Sequence, residues 1–193
     1  MKRPIAAAFA LMLTLGACAS TTNTVVDGSD SLPVMRWDHR PEAPLWTEAT
    51  LTALESHGAA LPSFVPSDIA TYCPGYAEAE PDDRAAFWAG LFSALAEYES
   101  TWNPVAVGGG GLWYGLVQID PRTARGYGCA ATSGSALKDG AANLSCAVRI
   151  ATAQVTKRGT VSRGMLDWGP FHSAGKRSQM QAWTRAQPYC KAG

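Results

Sequence analysis

The chain has 193 residues, 47% of them hydrophobic, and its 16 basic side chains equal its 16 acidic ones. A nucleic-acid binder would carry a basic surplus or stripe, so that class is excluded. The length suits one domain with a real core.

The N-terminus reads as an export signal. Met1-Lys2-Arg3 places two positive charges before an apolar run from Ile5 to Leu15, broken only by Thr14. Small residues follow in Leu15-Gly16-Ala17-Cys18. A charged start, a short apolar stretch and a small-residue site make a secretory signal peptide. The eleven residues 5–15 reach only about 17 Å as a helix, short of a bilayer core of about 30 Å. The quartet ending at Cys18 resembles the lipobox of bacterial lipoproteins. That resemblance implies that Cys18 becomes the first mature residue and carries the lipid. Ala19 follows it rather than aspartate, which implies an outer-membrane lipoprotein facing the periplasm. Residues 1–17 are then signal peptide and residues 18–44 a lipid-anchored tether. Without Lys2 and Arg3 the charge is near −2, from 14 basic and 16 acidic side chains.

Residues 19–44 are rich in Thr, Ser, Asp and Pro, as a tether and a loosely packed arm would be, with Trp37 the candidate to dock back. From Trp46 to His57, residues Trp46, Ala49, Ala53 and Leu54 recur at helical spacing, and Gly58 stops the helix. The folded domain is expected to begin at residue 45 and run to 193. Residues 59–81 hold several prolines and predict an irregular connection.

Pro81 and Asp82-Asp83 mark the next helix start, since proline suits the first turn and carboxylates its positive end. Phe87, Trp88, Leu91, Phe92, Leu95 and Tyr98 share one sector of the wheel, and Asn103-Pro104 lies just beyond the end. Glu99 falls inside that apolar sector, whereas Glu97 points nearly opposite, towards water. Apolar neighbours and the negative end of the helix dipole both favour a protonated Glu99. A glutamate kept protonated at a cleft rim is what a glycosidic general acid requires. A carboxylate that simply pairs with an arginine is the plainer alternative.

Residues 105–129 are glycine-rich, with Gly108 to Gly111 in succession, and predict a hairpin or irregular lobe. No Gly-Lys-Ser pattern accompanies these glycines, so they do not read as a phosphate cradle. After a loop at 130–140, Leu144, Val148, Ala151 and Val155 form a helical stripe that Lys157-Arg158-Gly159 closes. A last helix spans about Ser178 to Gln187, ended by Pro188. Cys73, Cys129, Cys146 and Cys190 form an even set in an exported chain and read as two disulfides. Three pairings are possible; Cys129–Cys146 and Cys73–Cys190 are favoured. His39, His57 and His172 stand singly, away from zinc-ligand spacing, and no metal or cofactor is expected.

Glu99-Ser100-Thr101-Trp102-Asn103-Pro104, followed by Gly115-Leu116-Val117-Gln118-Ile119, resembles the soluble lytic transglycosylase (SLT) family of lysozyme-like proteins. The resemblance covers roughly residues 84–170. It implies a mainly α, lysozyme-like domain (α+β) with a small glycine-rich irregular or β lobe. It also implies that Glu99 is the sole catalytic carboxylate, that Ser100 helps place the substrate N-acetyl group, and that Gln118 hydrogen-bonds the sugar. Val117 stands where the family has methionine, and the family's downstream Tyr-Asn-x-Gly is not evident; Asp167-Trp168-Gly169-Pro170 occupies its region. Tyr114 and Trp168 are the preferred aromatic walls of the cleft.

The implied reaction is cleavage of the MurNAc–GlcNAc β-1,4 bond of peptidoglycan glycan strands with 1,6-anhydroMurNAc formation. Glu99 acts first as acid and then as base. A hydrolytic muramidase would use a second carboxylate, for which Asp120 and Asp167 are the candidates, although both sit where a turn residue is expected. A non-catalytic cell-wall or partner-binding lipoprotein on the same fold is the other alternative. The expected partners are peptidoglycan and, through the lipid, a membrane, with no nucleic acid; the chain is expected to be a monomer.

Overall fold

The computed structural model describes Met1 and residues 31–191. The predicted signal peptide, Cys18 and the first part of the tether lie outside the described residues. Among the described residues, seven α-helices follow in chain order: α1 (Ala43–Glu55), α2 (Ala60–Ser63), α3 (Pro81–Ser100), α4 (Pro121–Gly126), α5 (Gly140–Arg158), α6 (Val161–Gly164) and α7 (Ala174–Ala186). One two-stranded antiparallel sheet pairs β1 (Val107–Gly108) with β2 (Trp113–Tyr114). The protein is thus a mainly helical domain with a small open sheet, the class expected from the sequence. No helix among the described residues is long and apolar enough to cross a membrane.

α3 is the axis of the core. It starts at Pro81 with Asp82 and Asp83 in its first turn, where the missing proline N–H costs nothing and the carboxylates meet the positive dipole end. Every residue from Ala85 to Ala96 is buried. The expected apolar sector is therefore only part of a helix enclosed on all sides, because α1, α2, α7 and the turn at 169–172 surround it. Small residues permit that enclosure. A Cβ at Gly90 would stand 2.2 Å from the Tyr189 hydroxyl.

The compact unit begins at Ser31, not at residue 45. Residues 36–42 form turns and a bend rather than a loose arm. Trp37 is fully buried, its ring meets Trp46 edge-on at 5.8 Å, and its Nε1 donates to Thr47 Oγ1 at 2.9 Å. The Thr/Ser/Pro composition concealed this, because two anchors, Met35 and Trp37, carry the docking.

The connection at 59–81 contains α2 and two short 3-10 turns. In the glycine-rich segment, Gly109, Gly110 and Gly111 all take positive φ, which lets the chain reverse between β1 and β2 without a Cβ clash. α4 follows, a short helix with no apolar repeat to announce it; the Asp120 side chain caps it by accepting from Arg122 N at 2.7 Å. The last helix starts at Ala174, four positions before the expected Ser178, because Ser173 caps it. Disulfides join Cys73 to Cys190, 117 residues apart, and Cys129 to Cys146, 17 apart.

Candidate active site

Glu99 lies in the last turn of α3, and Thr101 ends the helix in the left-handed region at φ 52°. The Glu99 carboxyl is largely buried. Its Oε1 makes no hydrogen bond among the described residues, and a Cβ at Gly169 would stand 4.0 Å from it. Burial pushes the carboxyl pKa up to about 7, while the Lys176 charge and the Gly169 amide pull it partly back. Near neutral pH the group therefore divides between acid and carboxylate, which suits one residue that must give and then take a proton.

Glu97, two residues earlier, does not face open water as expected. It is 28% exposed and pairs with Arg36 Nη2 at 2.7 Å. The two carboxyls have different neighbours: one meets an arginine and the other the Gly169 backbone.

The segment 115–118 lies beside Glu99 and is held by three side chains. Ser100 Oγ donates to the Leu116 carbonyl at 2.8 Å. Trp168 Nε1 donates to the Val117 carbonyl at 2.9 Å. Asn143 accepts from Val117 N at 3.0 Å and donates to the Tyr114 and Leu137 carbonyls at 2.9 and 3.0 Å. Gly115 is required here: its φ is 85°, and a Cβ would stand 2.1 Å from the Leu137 carbonyl oxygen. Asn143 escaped the sequence reading as a site-building residue. Its one signal was an amide beside Leu144, at the edge of an apolar stripe.

A cleft of about 480 Å³ opens beside this segment, lined in part by Trp113, Gln118, Asp120, Tyr127, Asp167 and Trp168. Glu99 is not part of that lining; its Oε1 lies near Gly169, the chain neighbour of the lining residue Trp168. Gln118 sits at φ 49° and donates through Nε2 to the Gly115 carbonyl at 2.8 Å, so its amide also braces the lobe. Trp168 is 4% exposed and meets Phe92 of α3 edge-on, so it joins the cleft wall to the core. Tyr114 is not among the residues that line this cleft. Its hydroxyl donates to the Gly111 carbonyl at 2.7 Å, and its strand neighbour Trp113, 47% exposed, takes the wall position. Adjacent strand residues point to opposite faces, so a one-residue choice decides which aromatic meets the cleft.

The two other carboxylates differ. Asp120 is paired with Arg122 at 2.7 Å, and that arginine holds its pKa below the usual value. Asp167 lines the cleft and accepts from the Tyr127 hydroxyl at 3.4 Å. The Tyr127 hydroxyl also meets Gln154 of α5.

Residues 77–166 match the profile of the Transglycosylase SLT domain family. No curated protein matches the chain significantly. Among solved structures, a Glu-to-Gln mutant of DslA from Bdellovibrio superposes with a TM-score of 0.75 at 23% identity, over 83% of this chain and 100% of that chain. A second Glu-to-Gln mutant of DslA gives 0.74 at 22% identity over the same shares. Its wild-type form 2 gives 0.71 at 23%, again covering 83% and 100%. Residues 77–166 thus resemble the Transglycosylase SLT domain, and the chain shares the fold of the DslA structures.

Proposed function

We propose that the protein is a peptidoglycan lytic transglycosylase. It cleaves the MurNAc–GlcNAc β-1,4 bond and releases 1,6-anhydroMurNAc ends. The observation that carries this reading is Glu99: a largely buried carboxyl with its pKa raised to about 7, beside a polar and aromatic cleft. The matched family and the fold support it, as do the Glu-to-Gln mutants in which DslA was solved.

Glu99 protonates the glycosidic oxygen. The substrate's own acetamido oxygen stabilises the sugar cation. Glu99, now a carboxylate, removes the proton of the C6 hydroxyl as the anhydro ring closes, so no second carboxylate takes part. Gln118 and Trp168 contact the glycan, with Trp113 beside them. Ser100 serves by holding the Leu116 carbonyl, and thus the cleft segment, against the helix. The chain is exported, lipidated at Cys18, and held at the outer membrane facing the periplasm as a monomer.

One observation favours a second reading. Asp167 lines the cleft, so a hydrolytic muramidase with Glu99 as acid and Asp167 as the second carboxylate is its form. Digestion of purified peptidoglycan, read by mass spectrometry, separates the two. Anhydro products, one water lighter than hydrolysis products, support the transglycosylase. Reducing ends that disappear in Asp167→Asn support the muramidase. Binding without turnover would leave a wall-binding lipoprotein and overturn both.

A further inference from the structure

Residues 31–42 do more than extend the core. Arg36 N donates to Ser93 Oγ at 2.9 Å, and the Arg36 guanidinium pairs with Glu97 at 2.7 Å. Both contacts fall within the last three turns of α3. Three residues on, His39 meets the Trp102 ring edge-on at 4.5 Å. Trp102 in turn donates through Nε1 to the Ser93 carbonyl at 2.9 Å. Ser93 is therefore bonded from the arm through its side chain and from Trp102 through its backbone.

The residues held in this way flank Glu99 and Ser100. Thr101 and Trp102 both take positive φ, 52° and 54°, a costly backbone conformation for residues with a Cβ. Such strain persists only where the surroundings over-determine it. Here the surroundings are the Ala96 carbonyl, which accepts from Trp102 N at 3.2 Å, the Ser93 carbonyl, and the His39 ring. The arm thus grips the helix end on the side of Glu97, while Glu99 faces the packed Gly169 backbone.

We infer that the N-terminal arm sets the position of Glu99, with Arg36 and His39 as positioning residues that fix the last turn of α3 and the strained turn after it. Neither residue touches substrate. This inference rests on the transglycosylase reading for its effect on turnover, but not for its effect on Glu99 itself. The charged groups around the helix end are Arg36 and Glu97 on one side and Lys176 of α7 on the other. Arg36 and Glu97 largely neutralise one another, so packing rather than net charge carries the effect.

The test uses the full chain as wild type, Arg36→Met, Arg36→Lys, His39→Ala and Arg40→Met. Arg40 lies on the same arm but contacts Glu42 and the Trp46 ring rather than the end of α3. Two quantities are read: turnover of peptidoglycan with kcat and KM separated, and the titration of the Glu99 carboxyl by NMR of glutamate labelled at the side-chain carboxyl. Arg36→Met and His39→Ala should lower kcat about tenfold or more with KM within about twofold, because a misplaced acid loses alignment rather than substrate affinity. In His39→Ala, which leaves the Arg36–Glu97 pair intact, the Glu99 titration should move down by about half a unit or more as the loosened turn admits water, whereas in Arg36→Met the unmasked Glu97 carboxylate opposes that shift. Arg36→Lys should restore most of the lost kcat, and Arg40→Met should change neither quantity. Wild-type kcat in both Arg36→Met and His39→Ala, with an unmoved titration in His39→Ala, would overturn the inference, as would a change confined to KM. If Arg36→Met does not fold, His39→Ala carries the same readings. A wild type without turnover would sink the transglycosylase reading alone, and the titration would still decide the role of the arm.

Discussion

Asn143 Oδ1 accepts the backbone N–H of Val117 at 3.0 Å, and Asn143 is fully buried. Through this amide, α5 fixes the segment 115–118, which Ser100 also ties to the end of α3. Asn143→Ala would strip three hydrogen bonds and leave buried backbone groups unpaired. It should cost about 3 kcal/mol, by analogy with other unsatisfied buried groups. Urea unfolding measures the loss, and hydrogen exchange should show residues 115–118 opening first. A stability within 1 kcal/mol of wild type, on the order of an exposed substitution, would refute this role.

Glu99→Gln keeps the side chain's size and polarity but cannot deliver a proton. Turnover of peptidoglycan should fall about 10²–10⁴-fold, with the circular dichroism unchanged. An activity equal to wild type would remove Glu99 from the mechanism.

The raised pKa of Glu99 also predicts how stability varies with pH. Between pH 4.5 and about 7 the native state keeps a proton that the unfolded chain releases. Unfolding free energy from this group is therefore fully present below the lower value and falls as pH rises through that window. The loss reaches at most about 3 kcal/mol above it. Glu99→Gln abolishes the dependence, so relative to wild type it should be more stabilising at pH 8 than at pH 5. Parallel urea midpoints for the two proteins at both pH values would contradict the assignment. Activity governed by the protonated form should decline as pH rises through about 7, where the native carboxyl loses its proton.

Each disulfide closes a loop of different length. Replacing either pair by alanine should cost about 2–5 kcal/mol, and the chain-entropy model puts the larger cost on Cys73–Cys190. That pair spans 117 residues against 17 for Cys129–Cys146. Thermal melts of the two double variants give the order.

Lipidation of Cys18 predicts that Cys18→Ser, or globomycin treatment, leaves unprocessed precursor in the membrane fraction. Normal processing to a free periplasmic form would refute the anchor.

Local patterns in the chain were enough to place α3 and α5, though not α4. Pro81, Asp82 and Asp83 define the start of α3 and Asn103-Pro104 its limit, because capping and proline sterics act within a few residues. The stripe from Leu144 to Val155 defines α5 for the same reason. The cluster of glycines at 108–111 marks the hairpin, since only glycine enters those φ values cheaply. The difference between Glu97 and Glu99 was half legible. Helical periodicity separates their directions, but it cannot say what waits in each direction. Arg36 lies 61 positions from Glu97 and Gly169 lies 70 from Glu99, and no periodic rule reaches that far. The same distance hid the docking of Trp37 and the three bonds of Asn143. It also hid the exchange of Tyr114 for Trp113 on the cleft, which turns on the register of two-residue strands. Periodicity and capping are properties of neighbouring residues. The environment that raises the pKa of Glu99 is made of backbone and side chains that meet only when the chain has folded.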